Sequence, residues 1–303
     1  MKLQGYDLQM HLEDKYNEGK LSRDILAWLH KHHQDRLDHA ELVLDEWINA
    51  PAGWASKQAR KDQAKDLDTE TLAERMAIIA TLQGSHGRHV TIQAFAAQIA
   101  TTFPQWGNKK TDDIRTAAEM LAEVGNKAEI FWIHYGNGEV PYMTSIFDLP
   151  AVLQDRVWLT GHPLPMVIPP EKLTSNLSTG YLSIPGHLVL GSKYNRHSRH
   201  ICREVLELQN STPMKLNMDY LMQVDDLKPD DMDEQQKTQW EQQNLQTKLL
   251  AIELIKAGNR FWFTHRVDTR GRMYSRGYQI NPQGNSWRKA MLELADPEYM
   301  EVT

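Results

Sequence analysis

The chain has 303 residues, and a domain commonly spans roughly 100–200 residues, so we expect two or three domains. Hydrophobic residues make up 41% and charged residues 24%, as in ordinary soluble proteins, and the sequence shows neither a long apolar run nor an apolar N-terminal signal segment. A single cysteine, Cys202, excludes a disulfide framework and a Cys-x-x-Cys zinc site. Together with the lack of a long apolar run, this predicts a cytosolic protein without a membrane span.

The N-terminal third of the sequence predicts helices. Apolar residues recur at helical spacing across residues 21–48. Thr71 begins a capping-box pattern for a helix that Gly84 can end. A further helix is predicted from residue 111 to Gly125.

The pattern then changes to strands and a connector. Two aromatic and β-branched runs flank Gly136-Asn137-Gly138, which predicts a β-hairpin over residues 130–146. Residues 161–187 are rich in proline and glycine, so this stretch is expected to be an extended connector without helices.

Helices are predicted to resume at about residue 198. Thr212 followed by Pro213 indicates a second helix start, because proline is favoured at the first helical position. An acidic loop over residues 225–233 precedes a long helix over residues 234–257, and this pair of helices would project as an arm. Two short strands, residues 260–265 and 273–280, are expected around a turn.

The basic residues are concentrated in two islands. Residues 260–289 hold seven Lys and Arg against one acid, and residues 193–215 hold five against two. Acidic residues dominate the segment between them. In a chain with a net charge of −6, this pattern favours local contact with an anion over a generally basic surface.

The most informative motif is Asp268-Thr269-Arg270-Gly271-Arg272, which follows an aromatic strand. A glycine between two arginines lets the backbone approach a phosphate chain while both guanidinium groups make bidentate contacts. The single acid, Asp268, can hold one arginine by paired hydrogen bonds and leave the other free. An ion-paired β-turn with no ligand explains the same residues.

This motif, with the Asn-Pro-Gln-Gly-Asn run that starts at Asn281, resembles the start of the palm in single-subunit, phage-type DNA-directed RNA polymerases. A Pro-Pro and Gly-Tyr segment over residues 165–181 and a Gln-Asn-Ser-Thr-Pro block over residues 209–213 are similar to further blocks of that family. The resemblance covers about residues 110–303 and departs at Met214, where the family has tryptophan.

The resemblance implies a fold that is mainly α with small β elements, an α+β class. It would comprise the N-terminal domain, the thumb and the beginning of the palm of a right-hand polymerase. The expected domains are a helical N-terminal domain with the hairpin (1–155), an extended connector (156–197), thumb helices (198–258) and the start of the palm (259–303).

The family's catalytic aspartates, which hold Mg²⁺, have no counterpart before the sequence stops at Thr303. The resemblance therefore implies the small subunit of a polymerase split between two chains, inactive alone, in the cytoplasm of an infected bacterium. A second subunit would supply the remaining palm, the fingers and the Mg²⁺. Further partners would be the DNA template, nascent RNA, nucleoside triphosphates and an auxiliary DNA-loading or promoter factor, with no membrane.

The resemblance also assigns contact residues, none of them catalytic or metal-binding. Contacts with the template and the RNA–DNA hybrid are expected from Asp268, Arg270, Gly271, Arg272, Tyr274 and Lys289. Thumb contacts are expected from Lys193, Arg196, Arg199, Arg203, Gln209, Asn210 and Lys215. Strand separation would involve the hairpin tip, Tyr135 and Asn137, although a purely structural hairpin explains these residues as well.

Two other classes of function stay open. The first is a stand-alone, non-catalytic nucleic-acid-binding protein derived from a polymerase fragment, and the second is a helical scaffold whose Arg-Gly-Arg turn is structural. The strands at residues 261–265 and 273–280 would leave open sheet edges unless another chain completes the sheet. Because open edges promote aggregation, we expect an obligate heterodimer.

Overall fold

The computed structural model describes residues 3–85, 88–103, 106, 110–135, 140–191, 200–223 and 231–296. These residues are mainly helical with small antiparallel sheets, which confirms the predicted α+β class. The helices are α1 (Gly5–Lys15), α2 (Glu18–Asn49), α3 (Ala55–Ala64), α4 (Thr69–Gly84), α5 (Ile92–Thr102), α6 (Lys110–Lys127), α7 (Ala151–Leu159), α8 (Arg203–Asn210), α9 (Met218–Gln223), α10 (Glu234–Lys256) and α11 (Ser286–Ala290). The strands are β1 (Val90–Thr91), β2 (Phe131–His134), β3 (Tyr142–Ser145), β4 (Pro213–Leu216), β5 (Phe261–Trp262), β6 (His265–Val267), β7 (Met273–Ser275) and β8 (Leu292–Leu294).

The chain divides into two compact units. The first unit is Leu21–Gln154, and the second unit combines Met1–Lys20 with Asp155–Thr303. The start of the second segment at Asp155 lies close to the expected boundary after residue 155. The first twenty residues, however, group with the second unit and not with the N-terminal domain to which the sequence assigned them.

The first unit contains helices α3 to α6, most of α2, and a sheet of order β1-β3-β2. Its core includes the fully buried rings of Phe95 and Phe131, which meet edge to face at 5.4 Å between centroids. The helix predicted over residues 21–48 is α2. Apolar side chains of α2 such as Leu29 are completely buried, which explains the helical spacing of its sequence.

Two helix ends of the first unit differ from the prediction. Asp68, and not Thr71, caps α4, because its carboxylate accepts hydrogen bonds from the Thr71 backbone and hydroxyl. Gly125 does not end α6, which continues to Lys127. A Cβ atom at Gly125 would lie 2.6 Å from Ile133 and 2.7 Å from Phe131, so glycine is needed here for the close approach of helix and strand.

The predicted hairpin is confirmed. Strand β2 pairs with β3 in an antiparallel register that sets Phe131 opposite Ser145 and His134 opposite Tyr142. Its predicted tip falls partly outside the described residues, since Asn137 belongs to the segment 136–139, for which no structure is described. Tyr135, which follows the last residue of β2, is 66% exposed.

The second unit is organised around the Pro- and Gly-rich connector. Over the described residues 161–191 it contains no helix, as predicted. The carboxylate of Glu13 in α1, 5% exposed, accepts hydrogen bonds from the backbone of Leu182 at 3.0 Å and of Ser183 at 2.6 Å. These bonds satisfy a buried charge and explain why the first residues belong to this unit.

The predicted helix start at Pro213 is wrong, because this residue begins strand β4. Strand β4 is the middle strand of the sheet β5-β4-β8. Pro213 lies opposite Trp262 of β5, whose backbone N–H and C=O both bond to Met166. Trp262 therefore needs no hydrogen bond from Pro213, which has no backbone N–H to donate. The next helix begins instead at Met218, where the side chain of Asn217 accepts the Tyr220 N–H.

The long helix is confirmed as α10, Glu234–Lys256. Asp233 and Gln236 form a reciprocal capping box at its start, and Gly258 follows its end with a φ of +109°. Leu250 and Leu254 of this helix are buried with Phe261. The C-terminal half of α10 therefore packs into the core of the second unit and does not project as an arm, and the segment 224–230 of the acidic loop lies outside the described residues.

Two strands near the end of the chain are partly covered at edges that the sequence suggested would be open. Connector residues cover them: Met166 bridges to Trp262 of β5, and Val189 bridges to Val267 of β6. The second predicted strand is also shorter than expected, since β7 ends at Ser275 and the chain bends at Gly277, which has a φ of +107°. These bridges weaken the argument from open edges, and the obligate heterodimer stays a prediction.

Candidate nucleic-acid interface

The Asp-x-Arg-Gly-Arg motif forms the turn between β6 and β7. The two strands pair with Arg266 opposite Tyr274 and Val267 opposite Met273. The Asp268 N–H continues the ladder by donating to the Arg272 carbonyl at 2.9 Å. The whole motif, Asp268 to Arg272, is called the Asp268 turn below.

Glycine is required within this turn. Gly271 has a φ of +83°, which residues with a side chain rarely adopt, and its N–H donates to the Asp268 carbonyl at 3.0 Å. A Cβ atom built at Gly271 would meet no atom within 4 Å. The backbone is therefore open at this point to the approach of a ligand.

The carboxylate of Asp268 organises the turn. Its Oδ1 accepts the backbone N–H groups of Arg270 and Arg272, both at 2.9 Å. Its Oδ2 accepts Nε of Arg272 at 2.6 Å and the Tyr274 hydroxyl at 3.2 Å. The structure thus contains the paired contact, between Asp268 and Arg272, that the sequence analysis expected for one of the two arginines.

These bonds keep Asp268 ionised. Partial loss of hydration would by itself raise the pKa of Asp268, but the hydrogen bonds from the backbone and side chain of Arg272 and from the Arg270 backbone lower it to about 2. The carboxylate is consequently charged at every pH near neutrality, and the bond to Arg272 stays formed.

The two arginines of the turn differ in freedom. The Arg270 side chain is 72% exposed, and its Nε lies 3.8 Å from Asp268. The Arg272 side chain is 55% exposed although its Nε is fixed on Asp268, and its guanidinium lies 5.9 Å from the centre of the Tyr274 ring. One guanidinium is pre-positioned and the other can adjust, an arrangement suited to two neighbouring phosphates.

A groove of about 780 Å³ lies beside the Asp268 turn. The turn contributes Thr269 and Gly271, while Cys202 and Val205 line the groove from the start of α8. Cys202 is exposed. The predicted thumb segment and the predicted palm turn therefore share one concave surface within the second unit.

The other predicted contact residues have different positions. Gln209 is exposed on α8, and Arg203 is half-buried at its start. Lys215 in β4 pairs with Glu293 of β8 at 3.3 Å, and Lys289 is exposed on α11. Three further predicted contacts lie outside the described residues: Lys193, Arg196 and Arg199.

Asn210 differs from the expectation because it is buried. It is 3% exposed, and its side-chain oxygen lies 2.9 Å from Nδ1 of His265 in β6. Burial lowers the pKa of His265 to about 4, so this imidazole is neutral and donates its Nδ1 proton to Asn210. In the structure this pair joins α8 to the hairpin that carries the Asp268 turn.

Sequence reasoning missed Gln283, which lies within the Asn-Pro-Gln-Gly-Asn run. Its side-chain oxygen accepts the Ser275 N–H at 2.8 Å, and its side-chain nitrogen donates to the Met273 carbonyl at 3.0 Å. This amide occupies the free edge of β7 as a neighbouring strand would. The eight residues between the two motif blocks are therefore explained by one local structure.

Comparison with protein-family models finds no match for this chain, and a search among curated proteins also finds none. Within the described part of the chain, no group of three or more His, Cys, Asp and Glu side chains is placed to hold a metal ion. No helix in that part combines the length and apolarity needed to cross a membrane.

Proposed function

We propose that this chain is the small subunit of a split, phage-type DNA-directed RNA polymerase. In this proposal it binds the DNA template and the RNA–DNA hybrid, while a second subunit supplies the catalytic aspartates and the Mg²⁺ ions for nucleotidyl transfer from nucleoside triphosphates. The observation that carries the proposal is the Asp268 turn, whose ordered arginine, exposed arginine and open glycine lie beside a groove.

The chemistry of the Asp268 turn favours a polyanion as its ligand. A guanidinium group makes two parallel hydrogen bonds to a phosphate, and Arg272 is already held in place, so little side-chain entropy is lost on binding. The exposed Arg270 can follow the backbone as the nucleic acid advances. Contacts of this kind position a strand without reading its sequence, which an enzyme that must copy every template requires.

The first unit has a separate role in this proposal. The hairpin of β2 and β3 exposes Trp132 and Tyr135, and aromatic rings stack on bases irrespective of sequence. The hairpin would help to separate the promoter strands. Promoter choice would rest with the second subunit or with an auxiliary factor.

The proposal is tested by co-expression with the product of the adjacent downstream reading frame. The complex is purified through a tag on this chain, and RNA synthesis is measured on single-stranded DNA with Mg²⁺. We expect the second protein to co-purify and RNA to form only with both chains. If the two proteins do not associate, or RNA synthesis does not depend on this chain, the proposal is wrong.

A second candidate function is a nucleic-acid-binding protein that acts alone. It is favoured by the coverage of β5 and β6 by Met166 and Val189 of the same chain, which removes the need for a partner at those edges. Light scattering and DNA binding of the isolated chain distinguish the two functions. A soluble, monomeric protein that binds single-stranded DNA and associates with no second subunit would favour this alternative.

A further inference from the structure

A second group of arginines lies close to the Asp268 turn but outside its hydrogen-bond network. In the hairpin formed by β6 and β7, Arg266 is paired with Tyr274, and the Arg276 N–H donates to the Thr264 carbonyl at 2.8 Å. Directly paired residues and alternate residues along a strand share one face of a sheet. Arg266 and Arg276 are therefore on the same face of the hairpin as Arg272.

A third arginine lies against an aromatic ring of the same unit. The guanidinium of Arg288 in α11 lies 4.5 Å from the centre of the Tyr278 ring, and the imidazole of His162 stacks on the same ring at 4.8 Å. Partial loss of hydration lowers the pKa of His162, and the charges of Arg266 and Arg288 lower it further. His162 thus lies within the electrostatic reach of both arginines.

The positive charge of this group is not balanced by acids. None of Arg266, Arg276 and Arg288 forms an ion pair within the part of the chain that the structure describes. The Nε atom of each is buried and has no hydrogen-bond acceptor there. Nη2 of Arg276 donates to the His187 carbonyl, and Nη2 of Arg288 donates to the side-chain oxygen of Gln243 at 3.3 Å. Buried donors are normally satisfied, so the three unsatisfied Nε atoms require an explanation.

Arg276 shows how unusual this arrangement is. Arg276 is only 8% exposed, and its Nη2 donates a hydrogen bond to the His187 carbonyl at 2.9 Å. Burial lowers the pKa of Arg276, the nearby Tyr181 hydroxyl raises it, and the neighbouring charge of Arg266 lowers it. A buried cation next to another cation is costly unless an anion is present.

We propose that Arg266, Arg276 and Arg288, with His162 at the margin, form a second phosphate-binding site that is separate from the Asp268 turn. A phosphate group accepts several charge-assisted hydrogen bonds at once and neutralises the cluster. The phosphate belongs to a nucleic-acid backbone or to a nucleotide, since both present the same chemistry. The site needs no second subunit, so its test does not depend on the proposed polymerase function.

The test uses the 303-residue chain alone with two probes, sodium tripolyphosphate by calorimetry and a short fluorescein-labelled single-stranded DNA by anisotropy. The variants are Arg266→Gln and Arg288→Gln, and the matched control is Arg23→Gln, which changes an exposed arginine of α2 outside both proposed sites. Arg276 is left intact because it is buried and bonded to His187. Circular dichroism and thermal melting establish that each variant is folded.

We expect tripolyphosphate to bind the unaltered chain and the Arg23→Gln control equally, and to bind Arg266→Gln and Arg288→Gln at least about tenfold more weakly. Competition between the two probes identifies the source of the phosphate. The site holds a nucleic-acid phosphate if two results are found together. DNA displaces tripolyphosphate, and in each variant the slope of log DNA affinity against log salt concentration decreases by about one. If DNA does not displace it, the site takes a nucleotide.

Two results would overturn the proposal. One is tripolyphosphate affinity that is unchanged in both folded variants, which would place anion binding elsewhere. The other is no tripolyphosphate binding by the unaltered chain together with DNA binding that neither variant alters. Failure of RNA synthesis with a second subunit would leave these results untouched, so the two proposals fail independently.

Discussion

Acidification should weaken the second unit through one buried histidine. His265 is 6% exposed, it lies in β6, and its Nδ1 is bonded to Asn210. Burial lowers the pKa of His265 from 6.5 to about 4. As the pH falls below 6.5, His265 therefore binds a proton in the unfolded chain but stays neutral in the folded chain. The free energy of unfolding consequently decreases.

The size of this effect follows from the two pKa values of His265. The full loss of stability, complete below about pH 4, amounts to about 3 kcal/mol. About 2 kcal/mol of it is lost between pH 7 and pH 5, and little is lost above pH 7. The contribution of neutral His265 is thus present above the unfolded pKa and disappears on acidification.

The measurement is native-state hydrogen exchange of the peptide that carries β6, at pH 7, 6 and 5, after correction for the intrinsic exchange rate. We compare the unaltered chain with His265→Gln, which cannot take up the proton, and with His200→Gln, which changes an exposed histidine. The pH dependence of the opening free energy should flatten only in His265→Gln. Parallel pH profiles for all three proteins would refute the reasoning.

Three further predictions concern the turn, the first unit and the connector. Asp268→Asn should weaken binding of single-stranded DNA about tenfold, because Arg272 loses its charged anchor, with melting unchanged; equal affinity in anisotropy would contradict this. Gly125→Ala should cost about 1–3 kcal/mol in urea unfolding through overpacking, whereas Gly53→Ala, with open space at its Cβ, should not. Glu13→Gln should lower the free energy of unfolding by about 1–3 kcal/mol and speed hydrogen exchange of the connector amides at residues 182–183. Unchanged protection of these amides from exchange would show that the carboxylate is dispensable.

Local sequence signals predicted the regular elements well where one face of an element is buried. The helical spacing in α2 follows directly from such burial, and the aromatic and β-branched run of β2 includes the buried Phe131. The Asp268 turn was predictable for a different reason. A glycine with positive φ and an acid four residues before an arginine are local features that need no distant contact.

Long-range contacts overruled the local signals elsewhere. Thr212 and Pro213 have the composition of a helix start, yet pairing with β5 and β8 makes Pro213 the first residue of a strand. The sequence predicted that Asn210 is an exposed polar contact. In the structure the side chain of Asn210 is buried and hydrogen-bonded to His265, which is distant in sequence. Propensity is a weak determinant when tertiary partners can offer a full set of hydrogen bonds.

The sequence by itself determined the α+β class, the long helix α10, the hairpin and the composition of the Asp268 turn, because periodicity, capping residues and turn chemistry act over a few neighbouring residues. Only the tertiary structure decided which strands have covered edges and which basic residues gather. Arg288 and His162 are 126 positions apart, and packing on the ring of Tyr278 brings them together. Such convergence depends on how the chain folds back, which no local pattern encodes.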